Sequence, residues 1–201
     1  LLQLFKEKKF FEYEAFFLLT NDTEFEKTDS INKLYNILNN HKRIGILSPC
    51  SDNWGERQIL GKNNIKYFWY IHNNAYLIKR KFIESIIDFD NPNYINFLFD
   101  GTNFRGYGTE SELIAKAYIN DWGAAITSEV IAEENEHHLK TKFDLIKTNN
   151  YEENLEKWVE EGNKWMFKKY GFKSKWSMYN YVKAFYDLFF ENYPELRKYS
   201  L

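Results

Sequence analysis

Three short polar clusters carry the residue types from which a reactive site could be assembled: TND at 20–22, GYGTESEL at 106–113 and ENEHH at 134–138. Asp22 closes the run FFLLTND, in which an unbroken apolar stretch meets groups that cannot be buried alone. Such a carboxylate can ligate a hard cation, or it can simply make a turn or cap the next helix. In the second cluster Glu110 and Glu112 follow Gly106 and Gly108, and a carboxylate there can take a proton from a bound hydroxyl. Thr109 and Glu112 also match the capping box T-x-x-E, which would assign Glu112 to backbone donors at a helix start. Glu110 would then lie in the first turn, near the positive end of the helix, which favours its ionised form. His137 and His138 are either metal-ligating imidazoles or solvated groups in an acidic turn.

The elements that must position these clusters can be read from periodicity. A short apolar run ended by polar groups is the pattern of a parallel strand covered on both faces, and ligands of such sheets collect at the carboxyl ends of the strands. Residues 15–20 therefore predict a strand, preceded by an amphipathic helix over 3–14. Ile31, Leu34, Tyr35 and Leu38 recur at helical spacing over 29–40, behind the possible caps Asp29 and Ser30. IGILSP at 44–49, KYFWYIH at 66–72, AYLI at 75–78 and AAITSEVIA at 124–132 read as strands, and ELIAKAYIN at 112–120 as a helix. The stretch 88–108 is a long glycine-containing loop. Two further helices are predicted, near 152–169 ended by Gly171 and near 176–191 ended before Pro194. Strands alternating with helices predict an α/β class with a mixed, mainly parallel sheet flanked by helices. The division expected is a domain over 1–148 and a helical C-terminal extension over 149–201.

Composition narrows the function classes. A chain of 201 residues with 44% apolar content can bury one substantial core. With a net charge of −2 and basic residues dispersed along the sequence, nucleic acid is not an expected partner. Cys50 is the single cysteine, which excludes an internal disulfide and suits a reducing, cytoplasmic setting. No apolar run reaches membrane-spanning length, and the start LLQLFKEKKFFEYEAFF interleaves charges in a way no signal peptide does. The missing initiator Met leads us to expect that the chain begins inside a longer protein. No GxGxxG or GxxxxGK loop is present, and no Ser, His and acid set has recognisable context, so Walker-type, kinase-like and hydrolase readings drop out.

In order and approximate spacing, FFLLTNDTEF, RIGILSP, NNAYLIKRK, GYGTESELIAKAYINDWGAAI and the histidine pair resemble the family 2 glycosyltransferases and their relatives of GT-A fold, a Rossmann-type architecture. The resemblance covers roughly residues 10–140 and implies that part of the N-terminal nucleotide-binding half precedes this text or is lacking. It implies a hexosyl- or related transferase that moves a sugar from a nucleotide-diphosphate donor to a hydroxyl of a glycan or glycolipid acceptor with inversion. Thr20, Asn21 and Asp22 would stand at the donor's diphosphate. Asp22 and one of His137 and His138 would hold Mn²⁺ or Mg²⁺, which takes up the charge of the leaving group. Glu110 matches the first acid of the family's catalytic pair, with Glu112 next in line. Thr20 and Ser111 stand where the family has acids. Trp54, His72, Asn73, Asn74, Asn103, Arg105 and Tyr107 fall at loops that would surround the acceptor. The alternatives are a non-catalytic carbohydrate- or nucleotide-binding remnant of the same fold, and an interaction module whose aromatic tail carries homo-oligomers or, as a minor reading, contacts a membrane surface.

Overall fold

The computed structural model describes residues 1–70, 75–135, 137 and 150–201. Its elements are α1 (Leu2–Lys6), a 3-10 turn (Lys9–Glu12), β1 (Ala15–Leu19), β2 (Thr23–Phe25), α2 (Ser30–Asn40), β3 (Ile44–Cys50) and α3 (Glu56–Leu60). They continue with β4 (Ile65–Tyr67), β5 (Ala75–Lys79), α4 (Arg80–Ile86), α5 (Thr109–Ile119), β6 (Gly123–Glu134), α6 (Tyr151–Tyr170), α7 (Lys175–Asn192) and a 3-10 turn (Pro194–Tyr199).

The helix expected over 3–14 is broken at Lys8, which adopts a left-handed φ of +63°. The break turns Phe10 inward, where it is fully buried and stacks on Phe16 at 4.8 Å. Packing of one aromatic side chain thus overrides helical propensity across the segment. Residues 88–108 form neither helix nor strand, as the glycine-containing text suggests.

Among the described residues six strands form one mixed sheet, in the order β1-β5-β3-β6-β2, with β4 also paired to β6. The expectation of mainly parallel pairing is corrected. Among the described strands β3 and β6 pair in parallel, whereas the pairs β1/β5, β3/β5, β2/β6 and β4/β6 are antiparallel. β1 is not a strand covered on both faces either. Among the described residues it pairs only with β5, and Leu19 is 51% exposed, so its apolar run serves one buried face at the end of the sheet. The strand that is buried at every position is β3, which lies between β5 and β6. β1 and β2 stand at opposite ends of the sheet path yet are joined by residues 20–22 alone, so the sheet curls toward a barrel.

Despite this pairing, β1, β3 and β6 all run in one direction, and their carboxyl ends share one edge. The helix α5 returns antiparallel to β6 through the turn at 120–122, which brings its amino end to that same edge. Leu34 and Leu38 of α2 and Leu113, Ile114 and Ala117 of α5 enter a core with the strands. Val182, Tyr186, Phe189 and Phe190 of α7 belong to that same core, while Trp165 and Met166 of α6 form a smaller cluster with Met178. The boundary between these helices is made by Gly171, whose left-handed φ of +73° lets its amide reach Phe167 O at 2.9 Å. No helix among the described residues is long and apolar enough to cross a membrane.

Candidate functional site

The carboxyl end of β1 is a tight turn. The amide of Thr23 donates to Thr20 O at 3.3 Å, and the Thr20 and Thr23 hydroxyls meet at 2.8 Å. Asp22 follows Asn21 in this turn with 6% of its surface exposed, and its carbonyl accepts the Asn135 amide at 2.8 Å. That bond stitches the end of β6 to the end of β1 and places the exposed His137 just beyond it. His138 lies outside the described residues, and so do His72, Asn73 and Asn74. Among the described residues no group of three or more His, Cys, Asp and Glu forms a metal cluster. Asp22 and His137 lie close to this backbone bond between the strand ends.

At the end of β3 the loop 51–54 is held by two carboxylates that the sequence analysis passed over. Glu133 accepts from Ser51 Oγ at 2.6 Å and from the amides of Asp52 and Asn53 at 2.5 and 3.4 Å. Glu56, 5% exposed, accepts from the Ser51 amide at 2.7 Å. Their only sequence signal is placement just after a strand and just before the histidine pair. Trp54 sits on this loop with 42% of its surface exposed. Burial, reinforced by Glu56 and Asp52, pushes the neighbouring Cys50 thiol up to about 12, so it stays protonated and is no nucleophile.

The amino end of α5 separates Glu110 from Glu112. Gly106 and Gly108 take left-handed φ values of +78° and +84°, which glycine adopts without steric strain, and they turn the chain into the helix. The capping box does not form: Thr109 Oγ1 donates to Gly106 O at 2.7 Å, and Gly108 is the cap. Glu112 is instead buried against α6, where it accepts from Lys169 at 2.7 Å and from the Tyr170 hydroxyl. Lys169 also meets Asp100 at 2.6 Å, and Trp165 Nε1 donates to the same carboxylate at 3.1 Å. Burial alone would raise the Asp100 carboxyl, but the hydrogen bonds from Lys169, Thr102 and Trp165 outweigh it and hold it well below the usual carboxylate range. This network leaves Glu112 a structural task.

Glu110 points the other way. It pairs with Lys175 of α7 at 2.8 Å, the two side chains being 12% and 19% exposed. The Lys175 ammonium also lies 4.5 Å from the centre of the Tyr107 ring and 5.5 Å from that of Tyr179. Tyr76, at the start of β5, is buried among Glu110, Glu56, Tyr179 and Tyr70, and its hydroxyl has no hydrogen-bond partner among the described residues. Burial first, and these acidic neighbours second, push its phenol well up; the same burial raises Tyr70 to about 12. Asn103 is spent on the local turn, donating to Tyr107 O at 3.0 Å and accepting from the Gly106 amide at 3.2 Å. Arg105 pairs with Glu161 of α6 at 3.3 Å. Asp22, Trp54 and Glu110 thus share one edge of the sheet, whereas Glu112, Asn103 and Arg105 face α6. Comparison with known family models, curated proteins and solved structures finds no match to this chain.

Proposed function

We propose that the chain is a metal-assisted glycosyltransferase of GT-A-like architecture, moving a sugar with inversion from a nucleotide diphosphate to a hydroxyl of a glycan or glycolipid. The observation that carries the reading is the convergence of Asp22, the loop at 51–54 and the amino end of α5 on one edge of the sheet, although they are far apart in sequence. Asp22 and His137 are the residues that would hold Mn²⁺ or Mg²⁺, and the ion would neutralise charge on the departing diphosphate. In the transfer, the acceptor oxygen bonds to the anomeric carbon as the bond from that carbon to the phosphate oxygen breaks. The electron pair leaves with the nucleotide diphosphate, and Glu110 takes the acceptor's proton. Lys175 orients the Glu110 carboxylate, and the exposed Trp54 ring offers a face for a sugar.

Calorimetry of Mn²⁺ with uridine and guanosine diphosphates, on the parent and on Asp22→Asn, tests the reading. With so few protein donors, Mn²⁺ alone should bind weakly and tighten clearly when the diphosphate adds its oxygens. Asp22→Asn should lose that coupling. If the variant binds metal and nucleotide as well as the parent does, the end of β1 is only a turn. A second reading, a non-catalytic sugar- or nucleotide-binding module, draws support from the largely buried Glu110–Lys175 pair, which occupies the proposed base. Nucleotide binding without transfer to any acceptor would favour it.

A further inference from the structure

The opposite edge of the sheet, at the amino ends of β3 and β6, carries a second constellation. Two cavities of about 470 and 520 Å³ adjoin there and share Lys42. The first is lined by Lys42, Lys79, Arg80 and Lys81, with Glu14 as its carboxylate among the described residues. Lys79 donates to Leu38 O at 3.0 Å and His41 O at 3.4 Å, which fixes a cation at the carboxyl end of α2. The second is lined by Lys42, Arg43 and Lys198, with Glu195 as its carboxylate, and by His41 and Tyr67. Among the described residues Lys42, Arg43 and Lys198 make no ion pair with a carboxylate. Arg43 is seated over the Tyr193 ring at 4.2 Å and donates to Asp121 O at 3.4 Å, which holds it in place; the carboxylate of Asp121 is engaged by the Tyr193 hydroxyl.

The floor of the second cavity supplies an independent sign of a ligand. Tyr67 is fully buried, yet among the described residues its hydroxyl has no hydrogen-bond partner, and it lies among Tyr199, Arg43 and Glu195. A buried hydroxyl left unsatisfied costs the protein its hydration without return, and such groups are rare in folded chains. Tyr67 lines this basic cavity, and an anion held against Arg43 at its floor would give the hydroxyl an acceptor that the free protein lacks. His41 in the wall already feels the field: burial, then Lys198 and Lys79, lower its proton affinity.

We infer that this cavity binds a phosphate-class anion, with the Arg43 fork, Lys42 and Lys198 around its oxygens and the Tyr67 hydroxyl donating from below. Arginine matches phosphate geometry, lysines add point charge, and several donors converge on one concave space rather than spreading over a flat face. The site is remote from Asp22 and does not depend on the transferase reading.

The experiment is titration of the full chain with inorganic pyrophosphate in the presence of EDTA, so that no metal-linked binding at Asp22 contributes. Binding should be seen in the parent and in Asp22→Asn. It should weaken by about tenfold or more in Arg43→Met, as expected for losing a charge-assisted contact. Tyr67→Phe should also weaken it, yet melt at the same or a higher temperature than the parent, because it deletes a hydroxyl that the free protein leaves unpaired. On binding, the His41 ring should titrate at higher pH by NMR. A parallel arm uses phosphatidylcholine vesicles with and without phosphatidate. Binding to phosphatidate vesicles alone, lost in Arg43→Met, assigns the phosphate to a lipid headgroup; binding of free pyrophosphate assigns it to a soluble ligand. If neither probe binds, or if binding is unchanged in both Arg43→Met and Tyr67→Phe, the inference is overturned.

Discussion

Glu110 and Glu112 lie on the same turn of α5 and have opposite surroundings, so substitution should separate them. Glu110→Gln preserves shape and removes a proton acceptor. It should lower transfer about 10²–10⁴-fold, and, because the largely buried Lys175 ammonium loses its carboxylate partner, it should lower the melting temperature as well. Glu112→Gln should leave the Lys169 and Tyr170 donors facing a neutral amide in a buried setting, destabilising by about 1–3 kcal/mol with little direct effect on turnover. If Glu112→Gln is the inactive variant and Glu110→Gln turns over fully, the roles are reversed. Asp100 predicts a pH dependence. Its folded carboxyl titrates below its unfolded value, so its contribution is present above about pH 4 and is lost as pH falls through the lowered native value. Acid unfolding followed by circular dichroism should therefore be less steep in Asp100→Asn than in the parent. At this scale the sequence marks Glu110 as a candidate. It cannot reveal Lys175, Lys169 or Tyr170, because those partners arrive from helices far downstream.

At the scale of elements, the docking of α6 depends on one close approach. A Cβ added at Gly162 would lie 2.4 and 2.6 Å from the Tyr107 Cβ and Cδ1 and 2.7 Å from its carbonyl oxygen, so the helix backbone packs directly on Tyr107 in the turn before α5. On an exposed helix Gly→Ala stabilises by about 1 kcal/mol. Here Gly162→Ala should instead destabilise and loosen α6, which Trp158 and Trp165 fluorescence together with a thermal melt would report. A melt at or above the parent's, with unchanged fluorescence, would show that the turn yields easily. The two C-terminal helices were legible because their stops are local: the left-handed Gly171 ends α6, and Pro194 follows α7. Strand pairing was not. The run AFFLL reads equally well as a central parallel strand or as an end strand with one buried face, since periodicity records burial and not the neighbour.

Across the whole molecule, the C-terminal helices are part of the protein's stability. Phe189 and Phe190 pack on Tyr67, and Phe189 on Tyr118, inside the main core. Phe189→Ala should cost about 3–5 kcal/mol, as a large aromatic removed from a closed core does. Chemical denaturation would measure it; a loss below 1 kcal/mol would mean that α7 is an appendage. The same helices touch the candidate site through Lys175, so a chain truncated before α6 should lose both its fold and the setting of Glu110. The basic residues show how far spatial arrangement departs from composition. They are dispersed in the text, yet Lys42, Arg43, Lys79, Arg80, Lys81 and Lys198 gather around two adjoining cavities.

What the sequence by itself determined is local: the helices α2, α5, α6 and α7 and most strands, the turn at Thr20–Asp22, the glycine-led entry to α5, and the lack of an internal disulfide, whereas the short helices α3 and α4 and the break at Lys8 were not legible in it. The legible features follow from side-chain period, backbone freedom at glycine and proline, and residue inventory, all of which act within a few residues. Tertiary structure alone decided the mainly antiparallel pairing, the curl that ties β1 to β2, the assignment of Glu112 to a buried network, and the burial of the Tyr67 and Tyr76 hydroxyls without a partner among the described residues. Each of these depends on which distant segment lies alongside, and that is settled by burial and charge pairing summed over the whole chain.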